Sequence, residues 1–275
     1  MASYFEEISV HLLAHTVVNR TAVRAWLDEI GADRFEIPSE ESVSDPALLV
    51  ALAAKQCYLS FQPGLNPNVT KVRREMVEYL DNVLSQGHGS VLEHAVFTFG
   101  INGCSRVFTG EMNRHRAGVG ISERSMRYIR YTEMRFWMPL CFRENDSDSP
   151  KLVEQKRQSR ETLVEAFSAQ KRAMERLAEI WKDELSPNSK FHRKKELTSA
   201  FRRLVGMGIA TGGIWTLNLR ALRHVIALRT DPSAEEEISH VCQKIGRIMM
   251  ERVPEIFRDF TIDPDGAFVP AYKKV

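Results

Sequence analysis

The stretch NRHRAGVGISERSMRY, residues 113–128, holds four arginines, a histidine, a glutamate and two serines around two glycines. Guanidinium forks match phosphate oxygens bidentately and stay charged at every relevant pH. Gly118 and Gly120 permit positive φ or a close backbone approach, so main-chain N–H groups can join an anion nest. Ser122 and Ser125 add hydroxyl donors. Over residues 101–135 seven basic residues (Arg106, Arg114, Arg116, Arg124, Arg127, Arg130, Arg135) stand against Glu111, Glu123 and Glu133. The chemistry this pattern suits is recognition of a phosphorylated small molecule. Two blander readings compete with it. Single arginines usually lie on solvated helix faces, and Tyr128, Tyr131, Phe136 and Trp137 could stack RNA bases.

A second group lies at WTLNLRALRHVIALRTDP, residues 215–232. Read as one helix, this segment puts Asn218, Val225 and Arg229 near one face, and Arg220 with His224, four apart, on another. A third lies at GHGSVLEH, residues 87–94, with two histidines and a glutamate.

The elements that must position these groups read as a mixed α+β chain. Helices are predicted over 21–30 and 46–58, the second opened by Asp45 as N-cap with Pro46 following. A polar loop joins them. Val69, Val72, Met76, Leu80 and Val83 predict an amphipathic helix over 69–84 with Gly87 as its stop. Ala95, Phe97, Phe99 and Ile101 alternate as a strand should, so GHGSVLEH is a helix-to-strand connection. A long helix is predicted over 151–182, with Leu152, Leu163, Phe167, Met174 and Leu177 inward. After a break at SPNS (186–189) a further helical run becomes glycine-rich near 206–213. The last helix is predicted to start at a capping box, Ser233 with Glu236, and to bury Ile238, Val241, Ile245, Ile248 and Met249.

The whole chain limits the reading further. It has 275 residues, 38 basic and 36 acidic, and a net charge of +2. That balance offers no extended basic track, so nucleic acid is not the expected partner and any anion site must be local. Cys57, Cys104, Cys141 and Cys242 are scattered without metal-like spacing, so no metal site is expected. No window is apolar enough to cross a bilayer, and a cytoplasmic protein is the expectation.

SVLEHAVFTFGINGCSRVFTGEMNRHR, then ERSMRY, then WTLNLRALRHVIALRTDPSAEEEI together resemble the flavin-dependent thymidylate synthases, the ThyX class, whose signature is RHRxxSxNExSxRY. The resemblance runs from about Val69 to Phe260; about 1–60 is an N-terminal extension that no family motif covers, on an otherwise single ThyX-like domain. It implies an α+β, ThyX-like fold with an antiparallel or mixed sheet flanked by long helices. It also implies a homotetramer with active sites between subunits, bound FAD, and reductive methylation of a uracil nucleotide (dUMP to dTMP) at C5. Methylenetetrahydrofolate would give the carbon and NADPH the reducing equivalents; flavin chemistry would carry the transfer, with the protein orienting it.

Carried over by position, the resemblance assigns His88, Ser90, Arg114, His115 and Arg116 to the flavin, together with Asn218, Arg220 and His224. It assigns Glu111, Glu123, Arg124, Ser125, Arg127 and Arg202 to the nucleotide, with the backbone near Arg124 and Ser125 cradling phosphate. Arg229 corresponds to the arginine set against the pyrimidine, where it would polarise the uracil carbonyl and stabilise negative charge developing during attack at C5. The chain also departs from the signature. AGVGIS is one residue longer than the family's spacing, Gly120 and Ser122 replace the usual serine and asparagine, and Glu111 stands where many members have glutamine. A carboxylate there accepts a sugar hydroxyl more strongly than an amide does. The ribonucleotide UMP is therefore the alternative substrate, and a flavin- and nucleotide-binding paralogue without activity is a lesser one.

Overall fold

The computed structural model describes residues 3–127 and 135–274. Its elements mix helix and strand as expected. Two short strands, β1 (Tyr4–Phe5) and β5 (Phe136–Trp137), pair in parallel with Tyr4 opposite Phe136. Four strands, β2 (Ser9–His15), β3 (Val96–Ser105), β4 (Val119–Glu123) and β6 (Ala210–Asn218), form a sheet in the order β2-β3-β6-β4. Near the C-terminus β7 (Phe260–Ile262) and β8 (Phe268–Pro270) pair antiparallel. Among the described residues no helix is long and apolar enough to cross a membrane.

Contacts divide the chain into two compact units. The first comprises Met1–Ser9, Gly100–Arg114 and Ile121–Ile214; the second comprises Val10–Phe99, His115–Gly120 and Trp215–Val275. The first unit carries α4 (Arg106–Met112), α5 (Pro150–Ile180) and α6 (Phe191–Phe201). Its core joins Met126, Phe136, Phe167, Met174, Leu197, Phe201 and Ile209, with Leu163 and Leu177 packed beside them. Phe136 and Phe167 stack at 4.0 Å. Two corrections arise here. Leu152, expected inward, is exposed near the start of α5. Phe136 and Trp137, candidate base-stacking residues, are buried in the fold and present no ring to a nucleic acid. The other two candidates, Tyr128 and Tyr131, and Arg130 of the basic cluster, lie outside the described residues.

The second unit carries α1 (Arg20–Glu29), α2 (Asp45–Tyr58), α3 (Met76–Ser85), α7 (Leu219–Arg229), α8 (Glu236–Arg252) and the short α9 (Pro254–Phe257). Phe97 and Phe99 of β3 are buried in it, as the period-2 pattern requires. Helix α2 starts one residue earlier than expected. Ser44 is the N-cap, while Asp45 is buried, accepts from the Val18 amide at 2.8 Å and pairs with Arg20. The capping box at Ser233 does not form. Glu235 caps α8 instead, its carboxylate accepting from the amides of Glu237 and Ile238, while Ser233 donates its hydroxyl to Asp231. Ile238, Val241, Ile245 and Met249 are buried as expected, and Ile248 is half-buried.

Two helix predictions fail for identifiable reasons. The helix expected over 69–84 begins only at Met76. Lys55 is 1% exposed, and its ammonium donates to the carbonyls of Ser60 and Arg73, each at 3.4 Å. A helix through Arg73 would commit that carbonyl to the Val77 amide. β-Branched Val69, Thr70 and Val72 also disfavour helix. The second half of the glycine-rich run near 206–213 and the start of the predicted helix at 215 are strand β6, not helix, and residues 206–209 form the turn before it. Trp215 and Leu217, two apart, are both fully buried, which is the strand period. At Gly212 a Cβ would lie 2.7 Å from the Ile101 carbonyl oxygen, so glycine permits this close approach of strands.

A salt bridge locks the second unit. Arg223 of α7 and Asp259 are 4% and 3% exposed and meet bidentately at 2.7 and 2.9 Å. Asp259→Ala leaves a buried guanidinium uncompensated and should cost about 3–5 kcal/mol in denaturant unfolding; a loss within error of zero would show the pair to be dispensable. Lys55 gives a pH signature. Burial lowers its pKa from 10.5 to about 8. Below that value the folded and unfolded chains are both protonated there and the fold bears the whole burial penalty. Between about 8 and 10.5 the unfolded chain binds more protons, so stability rises with pH. Compared with Lys55→Met, the wild type should therefore gain relative stability from near pH 7 to near pH 10. A difference that does not change with pH would refute the assignment.

Candidate functional site

In the first unit a cavity of about 480 Å³ gathers Arg106, Asn113, Glu123, Arg202 and Arg203. Each arrives from a different local cause. Arg106 opens α4, behind Ser105, whose hydroxyl caps the helix by accepting from the Val107 amide. Glu123 ends β4. Arg202 and Arg203 form a 3₁₀ turn where α6 stops. The Glu123 carboxylate is held twice: Oε1 by the Arg106 guanidinium and Oε2 by the Asn113 side-chain amide at 3.0 Å. Arg106 also donates from Nε to the Met126 sulfur at 3.0 Å. With three arginines and one carboxylate among its described lining residues, the cavity is net positive and suits an anion.

The remaining nucleotide candidates lie in the same unit. Glu111 faces Arg114 at 3.6 Å, with the Arg114 side chain 74% exposed. Arg124 donates its side chain to Asn102 at 3.3 Å and its amide to the Gly212 carbonyl at 2.9 Å. That amide therefore belongs to the backbone pairing and is a correction to the expected phosphate cradle. Ser125 accepts from the Arg127 amide at 3.4 Å, and the Arg127 carbonyl accepts from Thr198 at 2.8 Å. The Arg127 side chain is exposed.

In the second unit α7 organises the other group. Asn218, expected on a helix face, is instead the N-cap, its side-chain oxygen accepting from the Ala221 amide at 2.8 Å. Its own amide donates to the Gly118 carbonyl at 3.0 Å. Gly118 has φ +69, and a Cβ there would fall 2.4 Å from the Asn218 amide nitrogen, so glycine is required twice over. Gly120 lies in β4 with no positive φ and open contact, so the expected need for glycine does not arise there. Arg220 and His224 share the exposed face of α7, and Arg220 pairs with Glu93 of GHGSVLEH at 2.6 Å. At the other end of the helix Arg229 donates from Nε to His115 Nε2 at 2.9 Å. The His115 and His224 rings meet edge-on at 6.1 Å. Arg116 is exposed. Burial pushes the Cys242 thiol up to about 12, against the opposing charge of Arg229, so it stays a thiol and not a nucleophile.

His88 and Ser90 are exposed and line a cavity of about 370 Å³ with Lys55, Lys71, Arg73 and Tyr58. The His88 ring lies edge-on to Tyr58 at 6.3 Å. The sequence pattern missed four residues that these groups depend on: Arg106, Asn113, Arg203 and Glu93. Arg106 had a signal, as a member of the basic cluster. Glu93 had one in its loop of two histidines, and the other two had none.

Comparison with known proteins matches residues 40–255 to the family described as Thymidylate synthase complementing protein. The probable flavin-dependent thymidylate synthase of Mycobacterium phage D29 is 33% identical over 258 residues, 94% of this chain and 98% of that one. The flavin-dependent thymidylate synthase of Mycobacteroides abscessus is 33% identical over 224 residues, 82% of this chain and 83% of that one. Among solved structures, the UMP/dUMP methylase PolB from Streptomyces cacaoi shares the fold. Bound with 5-Br dUMP it aligns at TM-score 0.62 and 15% identity over 92% of this chain and 94% of that one. Bound with 5-Br UMP it aligns at 0.59 and 16% over 93% and 94%. With a family match across most of its length and a relative that it spans almost end to end, the chain belongs to the flavin-dependent thymidylate synthase family.

Proposed function

We propose that this chain catalyses the flavin-dependent reductive methylation of a uracil nucleotide at C5, with dUMP as substrate. The observation that carries this reading is the first unit's cavity, where Arg106, Arg202 and Arg203 surround a single fixed carboxylate. Cations for a phosphate and an acceptor for a sugar or base donor are what a nucleoside monophosphate needs. Glu111, Glu123, Arg124, Ser125, Arg127 and Arg202 are the proposed nucleotide contacts.

The flavin fit rests on the donor set of the second unit. His88, Ser90, His115, Arg116, Asn218, Arg220 and His224 offer cationic and neutral donors of the kind a dinucleotide diphosphate and a polar ring edge require. These residues would hold FAD. When bound, it supplies the redox chemistry that a side chain cannot. Arg229 is the proposed catalytic residue. Its guanidinium, oriented through Nε by His115, would polarise the uracil carbonyl and stabilise negative charge held there during the chemistry at C5. Methylenetetrahydrofolate as carbon donor, NADPH as the source of two electrons, a homotetramer with active sites between subunits and a cytoplasmic setting complete the reading. Cysteines scattered without paired spacing suit the reducing compartment.

UMP is the second reading, and Glu111 favours it. Its carboxylate stands in the nucleotide set, where it could accept a ribose 2′-hydroxyl. The deciding experiment supplies the purified protein with FAD, NADPH and methylenetetrahydrofolate, offers dUMP and UMP separately, and detects the 5-methyl product by mass. Faster turnover of dUMP is expected. Preference for UMP would make the ribonucleotide the substrate, and flavin binding without methylation of either would leave a binding paralogue.

A further inference from the structure

Glu123 is the only carboxylate among the described residues that line the first unit's cavity, and it shares that space with the cations a phosphate would use. An unpaired carboxylate there would repel a phosphate, and three rotatable bonds would let it wander. Both problems are met by two neighbours. Arg106 neutralises the charge at Oε1, and Asn113 restrains Oε2 at 3.0 Å. Arg106 is itself immobilised. Its amide donates to the carbonyls of Met207 and Ile209 at 3.0 and 3.2 Å, its Nε donates to Met126, and its side chain is 27% exposed. The Glu123 backbone is fixed by its position at the end of β4, with the next amide bonded to Gly212.

We propose that Arg106 and Asn113 are positioning residues for the nucleotide site: they lock Glu123 in one orientation and cancel its charge, so that Arg202 and Arg203 present net positive charge to the phosphate. The inference rests on the reading of this cavity as the nucleotide site. A carboxylate has about four acceptor positions and these neighbours occupy two, so acceptor capacity remains for a ligand donor. Ordering the side chain beforehand removes an entropic cost from binding. The two residues therefore govern nucleotide affinity and leave flavin binding and the turnover step alone.

The test compares wild type, Arg106→Gln, Asn113→Leu, Glu123→Gln and the double variant Arg106→Gln/Glu123→Gln, measuring nucleotide KM, kcat and bound flavin. Arg106→Gln should raise KM by about tenfold or more, the effect of a lost charge-assisted hydrogen bond, with flavin content unchanged and kcat within about twofold. The double variant should bind nucleotide no worse than Glu123→Gln alone, because the charge that Arg106 cancels is gone. A merely structural arginine predicts the opposite, losses that multiply in the double variant, and that result or an unchanged KM in Arg106→Gln would overturn the proposal. If Glu123→Gln itself leaves KM unchanged, the reading of the cavity fails, which is a separate outcome. Should Arg106→Gln not fold, Asn113→Leu decides: a rise in KM of about threefold supports the proposal and no rise defeats it.

Discussion

A guanidinium buried to 4% exposure must have its charge met, and the second unit is arranged around that demand. Arg223 reaches Asp259 with both ends of its fork and also bonds the carbonyls of Ile256 and Tyr272. These partners come from α9 and the strands and coil that follow, so the C-terminal segment is fastened to the inner face of α7. With that face fixed, the opposite one, which carries Arg220 and His224, is presented without freedom to roll. The two ends of α7 are fixed by other means. Asn218 accepts from one orphan amide at the start, that of Ala221, and Arg229 in the last turn complements the negative end of the helix dipole.

The first unit repeats the device at a partly exposed position. Arg106 ties the start of α4, the end of β4, Met126 and the turn before β6 to one side chain and one amide. Arginine thus has two uses in this molecule, and burial separates them. Arg106 and Arg223 have close carboxylate partners and little exposure, so they serve the fold or its geometry. Arg114, Arg116, Arg127 and Arg202 are exposed, where a fork can still be taken up by a ligand. The paired arginines fix the surfaces from which the exposed forks project.

That division also decides what could be read from sequence. The strand at β3 was legible because Phe97, Phe99 and Ile101 obey a period of two with no competing pattern, and α5 because its apolar spacing runs for many turns. The boundary inside WTLNLRALRHVIALR was not. Trp215 and Leu217 belong to a strand and Leu222 and Ile226 to a helix, yet Trp215, Leu222 and Ile226, seven and four apart, satisfy a helical template when read together. The late start of the helix predicted over 69–84 depends on Lys55, whose need for carbonyl acceptors is tertiary. In the candidate site, clustering made the arginines of residues 113–128 legible as a local excess of cations. Arg223 was not, since its partner Asp259 lies 36 positions away and a lone arginine on an amphipathic helix reads as solvated.

The lengthened AGVGIS segment is constrained more tightly than its departure from the family signature suggests. Gly118 holds a left-handed conformation, its carbonyl accepts from the Asn218 amide, and the Asn218 side chain occupies the place a Cβ would take. The same Asn218 caps α7, so the turn and the helix start are one unit of geometry. From Val119 onward the chain is strand β4, where pairing fixes the register and delivers Glu123 at its end. An extra residue can therefore be absorbed only before Val119, where a positive-φ glycine lets the chain change direction. The spacing from RHR to Glu123 can then vary by a residue while β4 still delivers the carboxylate at its end. What such a change alters is the path of Ala117 and Gly118 beside Asn218, which belongs to the flavin side of the proposed chemistry rather than to the nucleotide side.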